Sequence, residues 1–248
     1  MSGPARRTRP PGAAELGGYR EFYSGQAERF SEIMHSTLEG RYESPVAGLT
    51  GDRDLMRRLR ELAAPGGRGL DAGCGAGARD VHLHRRAGFA AFGVDAVPAA
   101  LEVAHRAHPE LRGRLALADL GRGLPLRSAS VDFVLCNAVV QHLPQDRGLG
   151  VALAEIGRVL RPGGVLQLMF KTGRGRVVVH DPEYGVDRVF QLYPVRPVLR
   201  RLAELGLAVI PGGDGRPGGV MRFADPKRMP HCVLFARKRG GRGGADRG

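Results

Sequence analysis

Leu70-Asp71-Ala72-Gly73-Cys74-Gly75-Ala76-Gly77 joins a short apolar strand, Gly69–Ala72, to a helix over Ala78–Ala87 that Gly88 closes. Glycines let the turn between them bend sharply and approach a ligand closely, and the helix that follows offers free N–H groups and the positive end of its dipole. The spacing alone is a weak signal. Gly73, Gly75 and Ala78 also satisfy the dinucleotide fingerprint G-x-G-x-x-G/A.

Beyond the turn, strand and helix patterns alternate. Strands are expected at Ala90–Asp95, Arg114–Ala118, Val131–Asn137, Val165–Phe170, Ala208–Ile210 and Cys232–Ala236. Helices are expected at Pro98–His108, Asp146–Leu160 and Pro197–Leu205. Val131–Asn137 reads VDFVLCN, a continuous apolar run of the kind buried on both faces. Such alternation argues an α/β fold with a mostly parallel sheet and helices on both faces. Before the turn, residues 19–64 read as helices. Phe22, Tyr23, Phe30, Ile33 and Met34 recur at helical spacing, and Asp52–Ala63 carries Leu55, Met56, Leu59 and Leu62 on one face. Two stretches, 171–193 and 211–229, break the alternation and read as long functional loops.

Acidic residues close successive strands. Asp95 stands 18 residues after Gly77 and can accept hydrogen bonds from both hydroxyls of an adenosine ribose; it can also cap the helix that starts near Pro98. Asp119 ends the third strand, where it can meet an adenine amino group with Leu120 on the ring, or can simply shape the turn before Gly121. Asn137 to Pro144 follows the fourth strand, and Leu160-Arg161-Pro162-Gly163-Gly164 is a structural turn.

Taken in order, LDAGCGAG, VDA, ADL, DFVLCNAVVQHLP and LRPGG resemble the class I S-adenosylmethionine (SAM)-dependent methyltransferase family, more narrowly its small-molecule branch, over about residues 68–170. Asp71, two residues before the first glycine, fits that family better than dinucleotide binders. The resemblance implies a Rossmann-like seven-stranded sheet with an antiparallel last strand, an N-terminal helical lid, and SAM across the C-terminal strand ends. It implies that Asp71, Gly73, Cys74 and Gly75 hold the methionine end. Asp95 would bind the ribose, Ala96 would flank the adenine, Asp119 and Leu120 would meet it, and Asn137 and Ala138 would lie near the sulfonium. Tyr23 to Phe30 resembles the family's lid pattern of Tyr, Ala and a second Tyr, with Phe30 in place of the second Tyr.

Composition narrows the acceptor. The chain has 248 residues and a net charge of +13, but residues 1–20 carry +3 of it and residues 236–248 carry +4. The expectation is two disordered basic tails, 1–18 and 239–248, around a lid (19–64) and a core (65–238), rather than a basic nucleic-acid face. Tryptophan is absent and aromatic residues total 6%, so base-stacking platforms are scarce. After the fourth strand stands Asn137-Ala138-Val139-Val140, not the polar-Pro-Pro-aromatic run of nucleic-acid amine methyltransferases. The three cysteines form no CxxC pair, no metal motif occurs, and there is neither a secretory h-region nor an apolar run of about 18 residues, so a cytoplasmic protein is expected.

A small-molecule acceptor leads, with oligomeric state left open. RNA or protein methylation, a non-methylating use of SAM and an NAD dehydrogenase remain alternatives. His142 and His180 are the candidate bases, since an imidazole of pKa about 6.5 suits proton transfer at neutral pH. Tyr19, Tyr23, His35, Tyr184 and Tyr193 are candidate pocket residues.

Overall fold

A computed structural model describes residues 18–211 and 219–240. Most of both expected tails, and 212–218 of the second expected loop, lie outside that range. Helices α1 (Tyr19–Gly25) and α2 (Ala27–Ser36) come first, followed by α3 (Asp52–Leu62). Then come β1 (Arg68–Ala72), α4 (Arg79–Arg86), β2 (Ala90–Asp95), α5 (Pro98–Ala107), β3 (Leu115–Leu117) and β4 (Val131–Asn137). A π-helical stretch, Asp146–Ala152, runs into α6 (Leu153–Val159). The chain ends with β5 (Leu160–Lys171), β6 (Arg176–Asp181), β7 (Val186–Gln191), α7 (Val195–Glu204), β8 (Leu207–Val209), β9 (Val220–Ala224) and β10 (Pro230–Lys238).

The main sheet runs β3-β2-β1-β4-β5-β10 and is parallel up to β5, with β10 antiparallel to it. The expected seventh position is shared by two strands, which makes eight in all. β9 pairs with Pro230–Leu234 and β8 with Ala236–Lys238 along the free edge of β10. The central strands explain the apolar runs: Val131, Phe133, Val134, Leu135 and Cys136 are all buried. Close packing also explains Gly69, where a Cβ would fall 2.0 Å from the Phe133 ring.

Three expectations change. Residues 171–193 are mainly not loop: β6 and β7 form an antiparallel hairpin outside the main sheet. Part of 211–229 is strand β9. Within 19–64, only α1 and α2 lie over the strand ends as a lid does, because α3 belongs to the core layer. Its Leu55 and Leu59 pack with Phe133, Leu135, Val165 and Met169, as the helical spacing of its apolar face dictates.

His84 on α4 is wholly buried beside Phe89 and Phe133, and its Nε2 has no partner. Burial, with the Arg60 cation second, pushes its imidazole down to about 3. The folded form therefore stays neutral where the unfolded chain, with a pKa of about 6.5, takes up a proton. This contribution to stability is present above pH 6.5 and is lost as pH falls toward 3, at up to about 1.4 kcal/mol per pH unit. Urea unfolding at pH about 7, 6, 5 and 4 should show that acid-side fall, and His84→Leu should flatten it.

Candidate cofactor and acceptor site

The glycine turn is docked onto the end of β2. The Gly73 and Cys74 N–H groups both donate to the Val94 carbonyl, at 2.8 and 3.0 Å. The Gly75 N–H donates to Asp95 Oδ2 and the Val97 N–H to Asp95 Oδ1, each at 2.9 Å. These bonds use two of the four lone-pair directions of the carboxylate and leave acceptor capacity on the cavity side. Gly73 has φ 101°, and a Cβ there would lie 2.4 Å from Val139; Gly75 has φ 65°, and a Cβ there would lie 2.6 Å from the Phe30 ring. Phe30 thus covers the turn by apolar contact where the lid pattern would place a hydroxyl.

Asp71 is buried beneath the turn and lines the cavity, with no side-chain hydrogen-bond partner among the described residues. Burial first, then the nearby Asp80 and Asp95 carboxylates, raise its carboxyl well above the usual range. Such a carboxylate calls for a cation. Asp95 is also raised by burial, against the lowering by its backbone donors. Asp119 Oδ1 accepts the Gly121 N–H at 2.9 Å, and Arg20 of α1 pairs with Oδ2. Leu120 is buried beside it. Ala96, Asn137 and Ala138 complete this end of the cavity, and Ala138 takes a left-handed φ of 58°. Asn137 Oδ1 accepts from Gln167 Nε2 at 3.0 Å. All the residues expected at the cofactor, from Tyr23 to Ala138, line one cavity, although Tyr23 turns toward its far half.

That far half is roofed by the β6–β7 hairpin. Arg188 on β7 donates to the buried Asp181 at 2.9 Å and to the Tyr23 hydroxyl. Its guanidinium lies 4.4–5.4 Å from the ring centres of Phe22, Tyr23, Tyr184 and Phe190. Glu183 in the hairpin turn binds Arg41 at 2.9 Å and Lys227 at 2.5 Å. The roof is thereby tied to the N-terminal segment and to the β9–β10 connection.

His142 faces this chamber, with Nε2 3.4 Å from the Tyr23 hydroxyl and its ring near Tyr19, Tyr23 and Phe190. Burial, then Arg188 and Lys171, hold its imidazole well below the usual value. His180 does not reach the chamber: it is exposed on β6, 3.1 Å from Asp187 across the hairpin, because strand alternation turns it outward. Tyr19 and Tyr184 line the chamber. Tyr193 is buried in the core, donating to the Val140 or Leu143 carbonyl, and His35 is exposed and bonded to Ser31.

Several cavity residues were not singled out in the sequence. Lys171, Asp225 and His231 meet at the chamber wall, and Arg188 and Lys227 hold the roof. Lys171 alone carried a signal, as one of only three lysines and the polar end of an apolar strand. Away from the cavity, His82, His108 and Glu110 bring ligand-type atoms within 4.8 Å of one another, although the sequence suggested no metal site. The His82 and His108 rings stack at 4.0 Å, and His82 Nδ1 lies 2.7 Å from Glu110.

Residues 70–168 match the family model for a methyltransferase domain. The chain is 35% identical over 136 residues to a malonyl-(acyl-carrier protein) O-methyltransferase of Serratia marcescens, covering 53% of this chain and 48% of that protein. It is 28% identical over 156 residues to an 18S rRNA (guanine-N(7))-methyltransferase of Schizosaccharomyces pombe, covering 61% and 56%. The fold matches the 1,6-didemethyltoxoflavin-N1-methyltransferase of Burkholderia thailandensis, solved with bound 1,6-didemethyltoxoflavin and S-adenosylhomocysteine, at TM-score 0.61, 18% identity and coverage of 97% and 94%. The chain spans about half the length of the curated relatives it matches. Residues 70–168 thus form a methyltransferase domain, and the glycine turn, the strand-end carboxylates and the inserted antiparallel strand give it the class I SAM-dependent methyltransferase fold. No helix is long and apolar enough to cross a membrane among the described residues.

Proposed function

We propose that the chain transfers the methyl group of SAM to a small-molecule acceptor. The observation that carries this reading is the chamber beyond the glycine turn, walled by Tyr19, Tyr23, Tyr184, Phe190 and His142 and roofed by the strapped hairpin. A partly enclosed aromatic chamber suits a small planar or hydrophobic molecule; a polynucleotide needs a groove with cations free for phosphates. Here Arg41, Lys171, Arg188 and Lys227 are each engaged by a carboxylate.

SAM fits the near half. The unpartnered Asp71 suits the α-ammonium of the methionine end, with Gly73, Cys74 and Gly75 leaving room for the chain beside it. Asp95 offers its free lone pairs to the ribose hydroxyls, and Ala96 and Leu120 flank the adenine. Asp119 would meet the adenine amino group while sharing Arg20, and Asn137 and Ala138 border the sulfonium. The bound cofactor supplies an electrophilic methyl group, so the protein's main task is to orient the acceptor, worth about 7–11 kcal/mol of barrier. His142 and Tyr23 are placed to orient an acceptor from the chamber side.

Methyl-tritiated SAM incubated with a cell extract tests this. Label should enter the low-molecular-mass fraction. Label in RNA, lost steeply with salt, or label in protein would overturn the small-molecule reading while leaving methyl transfer in place.

A further inference from the structure

We propose that Lys171 is the base that removes the acceptor's proton, with Asp225 and His231 holding its amine so that the lone pair faces the chamber; this rests on the methyl-transfer reading above. Lys171 is the last residue of β5, two beyond Met169, which pairs with Asn137 at the cofactor end of β4. It lines the chamber although its side chain is almost wholly buried.

Two of the three substituent directions on Nζ have polar partners, and on the chamber side the ring centre of Phe190, a chamber wall, lies 4.8 Å away. Asp225 Oδ2 lies at 3.0 Å, and this carboxylate is fixed by the Met229 N–H on Oδ1 at 2.8 Å. His231 Nε2 lies at 3.1 Å. The His231 tautomer follows from its other nitrogen: Nδ1 sits 3.0 Å from the Met229 carbonyl, which only accepts, so Nδ1 carries the hydrogen and Nε2 is an acceptor. His231 is itself held by stacking on Phe223. A neutral Lys171 amine spends its two N–H bonds on Asp225 and His231, and its lone pair takes the third direction. After proton uptake all three N–H groups have a use, the third facing the acceptor atom.

The charged groups around Nζ set its basicity. Burial lowers it most, Asp225 opposes that, and Lys227 and Arg188 lower it again, leaving it at about 8. His142 and His231 stay neutral beside it, each imidazole held low by burial and by the Lys171 charge. His142 is thus a poor proton acceptor, whereas Lys171 is poised near working pH. In the step itself the acceptor's O–H or N–H bond breaks and its proton joins the Nζ lone pair to give the ammonium. The electron pair left on the heteroatom forms the bond to the methyl group, which the bound sulfonium supplies while retaining the broken bond's pair as a thioether.

The three lysines make the test direct. The protein saturated with S-adenosylhomocysteine is trace-labelled with acetic anhydride across pH, and Lys171, Lys227 and Lys238 are followed by mass spectrometry. Lys171 should label with a midpoint near 8. A midpoint near an ordinary lysine, about 10 or above, would make it a permanent cation, and no labelling would mean the third direction is closed; either overturns the proposal. Lys171→Met and Lys171→Arg should both bind S-adenosylhomocysteine like the wild type, so lost binding would count against the cofactor site and not against the base. Both should slow labelling of the low-molecular-mass acceptor by about 10²–10⁴-fold and erase its rise with pH up to about 8. An unchanged rate or profile in either folded variant also overturns the assignment.

Discussion

Asp95→Ala should remove most of the thermal stabilisation that SAM confers. At about 100 times its dissociation constant a ligand stabilises by about 2.7 kcal/mol, which for a chain of this size raises the melting midpoint by about 5–11 °C. Two hydrogen bonds to a charged acceptor are worth about 1.5–3 kcal/mol each, so their loss weakens binding by roughly 10²–10⁴-fold. At the same SAM concentration the variant should then shift by no more than about 2 °C. The substitution also frees the Gly75 and Val97 N–H groups that Asp95 now accepts, which loosens the turn that must meet the ligand. This separates the two roles left open for Asp95 in the sequence. If it merely shapes the entry to α5, the apo midpoint falls but the SAM shift survives. NAD should produce no shift in either protein; a shift with NAD alone would return the site to dinucleotide chemistry.

The sequence was most informative where one interaction dominates. Buried parallel strands need near-continuous apolar runs, so β2 and β4 were legible to the residue, and the carboxylates at the ends of β1 and β2 marked the cavity. The hairpin was obscured because it packs over a cavity and not into the sheet. Its strands are half-buried, and Val178 is exposed, so no clean run of apolar residues announces them. The one local mark of the hairpin is its turn, Asp181-Pro182-Glu183-Tyr184-Gly185. Other features depend on pairs far apart in the chain. Lys171 meets Asp225 across 54 positions, and Arg188 meets Tyr23 across 165. No local spacing encodes such a pair, and a lysine at a strand end reads as solvated until the partner strand is placed. His180 shows the converse: a histidine in the right segment was turned away by a strand parity that the loop reading could not supply.

Arg79→Met should give the largest loss of stability. Arg79 Nη2 lies 2.7 Å from Asp52 and 2.6 Å from Asp80, and Nη1 donates to the Thr37 hydroxyl at 2.8 Å and to the Met34 carbonyl. The Tyr42 and Thr37 hydroxyls complete the shell of Asp52. One guanidinium therefore joins α4, which follows the glycine turn, to the end of α2 and the start of α3. Methionine fills similar volume but leaves two buried carboxylates without their cation. Breaking a buried pair this way costs about 3–5 kcal/mol, against at most about 1 kcal/mol for an exposed pair. The melting midpoint should fall by about 6–20 °C. The fall should come in a single transition, because α3 shares its core cluster with β4 and β5 and cannot peel away alone. Asp52→Asn and Asp80→Asn added to Arg79→Met should recover much of the loss, since the cost lies in the stranded charges more than in the missing contacts. A drop of only a degree or two, or no recovery in the triple variant, would show that water reaches the cluster. The Phe30-bearing helix would then be held over the glycine turn by apolar packing and by exposed ties such as Glu28 with Arg106.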